Sequence, residues 1–202
     1  MNGLGIIRGL GVTLRHLLDT YLEDFRWGGK RYRTEKGINF RSSSKTRGVF
    51  TIQYPEEKLP LPEEFRYIPF LVYEEGPDGE KNLRCTSCGI CSKACPPQCI
   101  YITRTTDPVT GKPVPKPKEF FIDVDICMNC GMCAEYCPFD AIKMDHDYEI
   151  ASIDRFAHHI FDIQKLAKPA SYYAKIRPTN YAREEALKAE KAAAKAASKK
   201  AE

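Results

Sequence analysis

The sequence has no apolar run long enough to cross a bilayer as a helix, which takes about 20 residues. Its N-terminal segment also lacks the unbroken apolar stretch of a secretory signal peptide, because Arg8, Arg15 and His16 interrupt it, and nearby acidic residues argue against a transit peptide. We therefore expect a chain that stays in a reducing compartment and does not span a membrane.

The motifs of nucleotide, flavin and acyl chemistry are missing as well. We find no Walker-type phosphate loop, no G-x-G-x-x-G and no G-x-S-x-G. The sequence therefore predicts no catalytic residue and no substrate site in this chain.

Cysteine is abundant. The 202 residues include nine cysteines, an odd and high number that does not suit a secreted disulfide scaffold and favours metal binding. Composition is otherwise that of a soluble globular domain with extensions, 43% hydrophobic with a net charge of +4, and the positive excess lies in the first quarter of the chain.

Eight of the nine cysteines form an internal repeat. The segment CTSCGICSKACPPQCIYI, which begins at Cys85, aligns with CMNCGMCAEYCPFDAIKM, which begins at Cys127. Each copy has the spacing C-x2-C-x2-C-x3-C-P, the signature of bacterial two-cluster ferredoxins, in which the fourth cysteine binds the other cluster.

The spacing has a physical cause. Three thiolates with two residues between neighbours reach three corners of a cubane only if the loop turns tightly, which Gly89 and Gly131 allow. The proline after each fourth cysteine discourages helix continuation, so that thiolate points away from its own triplet. The sequence therefore predicts two [4Fe–4S] clusters, one bound by Cys85, Cys88, Cys91 and Cys137, the other by Cys127, Cys130, Cys133 and Cys95.

Other interpretations of the cysteines are weaker. A structural zinc site usually uses two C-x2-C pairs and closes at four ligands, and disulfides do not explain the duplication. Cys99, where the second copy has Ala141, is expected to be a small buried hydrophobe. His158 and His159 are adjacent and point in different directions on a helix, so we expect no metal role for them.

The chain divides by composition into four zones. Residues 1–26 have the apolar period of an amphipathic helix, which either packs on its own domain or lies on a membrane surface or a partner there. Residues 27–69 predict an extended arm on the surface of another protein, because prolines exclude long elements while many apolar groups need burial. Residues 70–150 form the compact domain, and residues 151–202 a C-terminal extension.

Short strands are expected around the cysteine loops. Residues 70–73 and 81–84 predict a hairpin with its turn at residues 75–79, and residues 101–102 and 120–123 predict a second pair. No regular element is expected in the proline-rich segment 107–118 between them. In the extension, residues 150–166 predict a short amphipathic helix stopped by Pro169, and the Ala/Lys-rich tail from Ala182 a solvated or frayed helix.

The expected fold class is α+β, a bacterial two-[4Fe–4S] ferredoxin-like domain with an N-terminal amphipathic helix, an extended arm and a C-terminal extension. A fully cysteine-ligated cubane has no open iron and passes one electron at a time. Two clusters with interlocked ligands lie close together, so the domain is expected to act as a short electron conductor.

Residues outside the cysteines carry a resemblance. The paired motifs, together with residues 9–16, 50–58, 61–66 and 147–151, resemble the subunit I family of NADH-quinone oxidoreductase, the two-cluster subunit of respiratory complex I. The resemblance covers about residues 4–156 and fails over the tail, and the segment from Trp27 to Lys45 is longer than the family pattern.

The resemblance implies a peripheral subunit on the cytoplasmic face of the inner membrane. It would relay electrons from NADH toward the last cluster, which reduces quinone, so this chain meets quinone only indirectly. Its partners would be other subunits of the peripheral arm and membrane junction, with the N-terminal helix at the membrane surface.

Two alternatives stay open. The chain could instead serve a membrane-bound hydrogenase or a ferredoxin-fed quinone oxidoreductase. A nucleic-acid role through the basic run at residues 30–33 is disfavoured, because no nucleic-acid-binding fold accompanies it, and we expect no nucleic-acid partner.

Overall fold

The computed structural model describes residues 3–76 and 79–200. The chain forms two compact units, one up to Leu61 and one from Pro62 onward. The exact boundaries of the four zones expected from composition stay a prediction. Residues 1–2, 201–202 and Pro77 and Asp78 of the predicted hairpin turn lie outside the described residues.

The first unit begins with the predicted amphipathic helix, α1 (Leu4–Trp27). It ends at Gly28, whose left-handed backbone (φ 53°) lets its N–H bond the Phe25 carbonyl. The apolar stripe of α1 stays uncovered by this unit, with Leu14 56% and Phe25 90% exposed. Within the described residues, no helix is both long enough and apolar enough to span a membrane.

After α1 the chain of the first unit contains little regular structure. A short 3-10 helix (Lys30–Tyr32) is followed by α2 (Glu35–Arg41), which Thr34 caps by accepting from the Gly37 N–H. This agrees with the expectation that no long element fits here. The expectation that the segment lies along another protein stays a prediction.

Two buried arginines hold the irregular chain of the first unit. The Arg31 guanidinium donates to the carbonyls of Arg47 and Val49, the latter at 2.6 Å. Arg41 donates to the Arg31 carbonyl at 3.2 Å and the Thr51 carbonyl at 2.6 Å, and pairs with Glu57. Buried guanidinium groups are tolerated only when they are paired and hydrogen-bonded, so these contacts compensate for lost hydration.

The pair of Arg41 and Glu57 makes the stability of the first unit depend on pH. The hydrogen bond from Arg41 holds the pKa of Glu57 below its usual range. A carboxyl group whose pKa is lower in the folded chain stabilises it above the unfolded pKa of about 4.3, and this stabilisation is lost as pH falls through the folded pKa.

The second unit contains two small sheets. In the first, β1 (Pro69–Glu75) pairs antiparallel with β2 (Lys81–Leu83) through Tyr73 opposite Leu83, which confirms the predicted first hairpin. The first cysteine loop then leads through α3 (Ile90–Ala94) to the second sheet.

The second sheet begins with the other predicted pair. The strands β3 (Ile100–Thr106) and β4 (Pro113–Asp123) run antiparallel, with Ile100 opposite Ile122. The expectation of no regular element over residues 107–118 is wrong from Pro113 onward. The register shifts on both sides of Arg104 accommodate the three prolines at residues 113, 115 and 117, as a bulge does.

The second cysteine loop and its short helix α4 (Met132–Glu135) lead back to the first sheet, where β5 (Ile142–Met144) pairs antiparallel with β1. Side chains from both sheets and buried cysteines share one core, in which Leu71, Phe120, Ile122 and Ile142 are almost fully buried. The cysteine loops are therefore packed into the core of the domain.

The predicted helix over residues 150–166 is wrong as one element. The chain forms α5 (Arg155–His158), β6 (Ile160–Phe161) and α6 (Ile163–Leu166) instead. Pairing of Phe161 with Ile122 of β4 draws this segment into the second sheet, and the Asp162 side chain starts a new helix by accepting from the Lys165 N–H.

The C-terminal extension continues with β7 (Ala167–Pro169), parallel to β1, then α7 (Ala170–Ile176) and α8 (Pro178–Lys200). The tail is helical as expected, but the first residues of α8 also contact the domain. The Glu63 carboxylate accepts from the N–H groups of Thr179 and Asn180 at 2.7 and 3.1 Å, and Glu184 pairs with Lys143. The helix is thereby attached to the domain.

We predict that Arg41→Met destabilises the first unit at neutral pH. The substitution leaves the buried Arg31 carbonyl without its donor, which costs about 1–3 kcal/mol. Faster limited proteolysis within residues 28–61 of the full chain would show the effect. Arg33→Met removes an exposed cation of the same turn and should leave proteolysis unchanged.

The pH dependence provides a second check on the same variant. Glu57 stabilises the first unit only while it is ionised. The difference in proteolysis rate between Arg41→Met and the natural chain should therefore shrink as pH falls below about 4. An equal difference at all pH values would contradict the role given to the pair.

Candidate metal centres

The two cysteine loops of the second unit have left-handed backbone at equivalent positions. Three positions with positive φ recur at a spacing of 42 residues. They are Ser87 (56°) and Asn129 (51°), Gly89 (77°) and Gly131 (82°), and Gln98 (52°) and Asp140 (51°). The sequence repeat is therefore a structural repeat, and only its glycines were expected from the sequence. Asn129 and Asp140 belong to residue types that tolerate the left-handed region, so the sequence indicated this conformation weakly there. At Gln98 the residue type did not indicate it.

The first cavity of the domain is lined by thiols from both loops. Cys85, Cys88 and Cys91 come from the first loop and Cys137 from the end of the second. Apolar side chains complete the lining, among them Leu71, Ile90, Ile102, Phe120, Phe139 and Ile142. The structure thus brings together the four cysteines expected to share one cluster.

The second cavity has the reciprocal arrangement. Cys127, Cys130 and Cys133 come from the second loop and Cys95 from the end of the first. The remaining lining includes Pro69, Pro97, Ile100, Met128 and Met144, and also the ninth cysteine, Cys99. All eight expected ligand residues therefore lie at one of two cavities, in the crossed combination.

The two most deeply placed thiols of the triplets are equivalent. Burial raises the pKa of Cys91 and of Cys133 to about 12, so both are neutral thiols at physiological pH when no metal is bound. Iron binds thiolates, and ligation therefore releases these protons.

Cys99 is fully buried and hydrogen-bonded to other thiols. Its Sγ lies 3.4 Å from the Sγ of Cys95. A hydrogen bond between the Cys99 and Cys127 side chains lowers the pKa of Cys127 and raises that of Cys99. The expectation of a buried residue is confirmed, with the addition of these sulfur contacts.

Arginine side chains outside the repeat stabilise both loops. Arg104 of β3 donates to the carbonyls of Ser87 and Cys88 at 2.7 and 3.2 Å. Arg66 donates to the carbonyl of Cys130, the equivalent of Cys88, at 2.8 Å. A Cβ on Gly131 would approach Arg66 Nη1 to 2.8 Å, so this glycine also makes room for the arginine. No sequence motif marks either arginine.

Polar atoms near the first cavity lack protein partners. Among the residues that the structure describes, the buried hydroxyls of Thr86 and Ser87 have no hydrogen-bond partner, and Thr86 lines the cavity. Four thiols, apolar walls and spare hydrogen-bond donors suit a cluster with acceptor sulfur atoms. The residues therefore fit a [4Fe–4S] group.

The histidines of the extension have other contacts. His159 Nδ1 lies 2.6 Å from Asp125 Oδ1, and its Nε2 lies 2.9 Å from the Ile150 carbonyl. Across the described ranges, no three His, Cys, Asp or Glu side chains converge on a point where a single metal ion could bind. A cubane differs from a single ion, because each thiolate meets a different iron.

Comparison with known families agrees with this architecture. A family model described as a 4Fe-4S dicluster domain matches residues 84–147. The fold and the two four-thiol cavities, together with this match, define a ferredoxin-like domain that carries two [4Fe–4S] clusters.

Longer matches extend beyond the cysteines. NADH-quinone oxidoreductase subunit I of Pseudomonas entomophila is 37% identical over 151 residues, 74% of this chain and 67% of the relative. Subunit I 2 of Symbiobacterium thermophilum is 37% identical over 147 residues, 73% of this chain and 58% of the relative. Subunit I of an Anaeromyxobacter species is 36% identical over 127 residues, 58% of this chain and 45% of the relative.

These matches identify the family. The chain belongs to the NADH-quinone oxidoreductase subunit I family. It spans 58% and 45% of the length of two of these relatives, from Symbiobacterium and Anaeromyxobacter. The resemblance stated from the sequence and the two clusters are confirmed, whereas the assignment of individual cysteines as ligands stays a prediction.

Proposed function

We propose that this chain is an electron-relay subunit of a proton-translocating NADH-quinone oxidoreductase. It passes single electrons through its two clusters toward the terminal cluster and quinone, and has no substrate site of its own. The observation that carries the proposal is that each short helix contains the third cysteine of a triplet, at one cavity, and is followed by the fourth cysteine, at the other cavity.

The helix α3 shows this arrangement directly. Cys91, within α3, lines the first cavity, and Cys95, at the C-terminal end of α3, lines the second. Cys91 and Cys95 are only four residues apart in the chain, so one short helix connects the two cavities. In the second repeat, Cys133 on α4 and Cys137 after it serve the second and first cavities in turn.

This arrangement supports the crossed ligand sets. We assign Cys85, Cys88, Cys91 and Cys137 to one cluster and Cys127, Cys130, Cys133 and Cys95 to the other. A cubane with four thiolate ligands accepts and donates one electron without an open iron. Apolar side chains that line the cavities exclude water. Arg66 and Arg104 hold the cysteine loops by hydrogen bonds to their carbonyls.

Paired substitutions distinguish crossed from uncrossed ligands. If Cys85 and Cys137 serve one cluster, Cys85→Ala with Cys137→Ala removes only that cluster and leaves about four irons of eight. Cys85→Ala with Cys95→Ala then removes a ligand from each cluster and leaves almost no iron. Iron and sulfide analysis of anaerobically prepared full chain would decide. The opposite iron counts would contradict the assignment.

The location of the subunit is inferred from α1. Its stripe of apolar side chains is exposed along the whole helix, and Arg8 and Arg15 lie beside the stripe. Such a helix suits the interface of a membrane with anionic lipids, where each basic residue contributes about 1 kcal/mol. We place the subunit at the cytoplasmic face of the inner membrane, against other subunits of the peripheral arm.

Substitutions on opposite faces of α1 test the membrane contact. Leu14→Glu puts a charge in the apolar stripe and should strongly reduce flotation of the full chain with phosphatidylglycerol-containing vesicles. Val12→Glu is the matched control, because Val12 is similarly exposed (65%) but lies on the opposite face. An equal loss in both variants, or none in either, would indicate that the stripe does not bind the membrane.

The relay itself is tested in the complex. We expect about eight irons per chain and two magnetically interacting reduced [4Fe–4S] signals by electron paramagnetic resonance. In the assembled complex NADH should reduce both clusters and quinone should reoxidise them within one turnover. Reduction only by ferredoxin or hydrogen would contradict the proposal and identify a related complex.

A further inference from the structure

The two cluster sites differ at one buried position. Where the first repeat has Cys99, the second has Ala141, and both residues are almost fully buried, with 1% and 2% exposure. Because the loops have left-handed backbone at equivalent positions, this exchange of a thiol for a methyl group is a local chemical asymmetry between two similar sites.

The asymmetry affects only the second cavity. The Cys99 Sγ is 3.4 Å from Cys95 Sγ, and Cys99 lines the same cavity as Cys95 and Cys127, which are both proposed ligands of the second cluster. At the first cavity the equivalent contact is a backbone one, from the Ala141 N–H to Cys137 Sγ at 3.4 Å. A side-chain donor is therefore added to the second cluster.

We propose that Cys99 is a positioning residue that raises the reduction potential of the second cluster by donating its S–H hydrogen bond to a ligand thiolate. Reduction adds one electron to the cluster and increases negative charge on its sulfur ligands. A hydrogen-bond donor beside such a ligand stabilises the reduced form more than the oxidised form. The inference rests on the proposed ligand assignment.

Two substitutions at Cys99 separate hydrogen bonding from packing. Cys99→Ala removes the donor and reproduces the residue of the second repeat, and Cys99→Ser keeps a donor. The full chain with both clusters is titrated with dithionite and followed by electron paramagnetic resonance. At the same solution potential, Cys99→Ala should have a several-fold lower ratio of reduced to oxidised cluster than the natural chain, for one of the two clusters. A tenfold change corresponds to 59 mV for a one-electron couple. Cys99→Ser should retain most of the natural ratio.

The reciprocal variant supplies the matched control. Ala141→Cys introduces a thiol beside Cys137 and should raise the reduced-to-oxidised ratio of the other cluster, the one that Cys99→Ala leaves unchanged. The comparison requires no prior assignment of the two signals. It also remains informative if Cys99→Ala fails to retain its cluster.

Other outcomes would overturn the inference. Unchanged ratios in both Cys99 variants, or equal shifts in Ala and Ser, would show that the thiol packs without donating to a ligand. Iron and sulfide analysis distinguishes this from failure of the proposed function. A natural chain without about eight irons would refute the two-cluster relay, whereas loaded chains with unmoved potentials would refute only the role of Cys99.

Discussion

The bond between iron and a cysteine thiolate is the interaction on which the second unit depends. Two small sheets of short strands provide a limited apolar core, and the cysteine loops pass through that core. Burial keeps thiols such as Cys91 and Cys133 neutral without metal, so the iron–thiolate bonds are added to this interior only when the clusters are inserted and the protons leave. We therefore expect folding and metal loading to be coupled.

The first unit is stabilised by a different kind of interaction. Its irregular chain has few apolar contacts of its own, because the apolar stripe of α1 faces outward. Two buried guanidinium groups, those of Arg31 and Arg41, bind the backbone carbonyls of the surrounding loops instead. The arrangement leaves the stripe available for an external surface while the loops keep a defined conformation.

The sequence predicted those parts of the structure that are encoded locally. The cysteine spacing, the glycine turns and the period of α1 each follow from a short pattern, and each was found. The helix expected over residues 150–166 was wrong because pairing of Phe161 with Ile122, a distant residue, overrides the local period. The contacts of Arg66 and Arg104 with the loops were missed for the same reason, since nothing near them in the chain marks their targets.

The short span of α3 between the two cavities has a kinetic consequence. The thiols of Cys91 and Cys95, which line different cavities, are connected through this one helix. Collective motions of proteins take microseconds to milliseconds, and ligands that share one short helix do not depend on such motions to stay close together. In the proposed relay, exchange between the clusters therefore needs no rearrangement of this domain, and we expect turnover to be limited at the points where electrons arrive and depart.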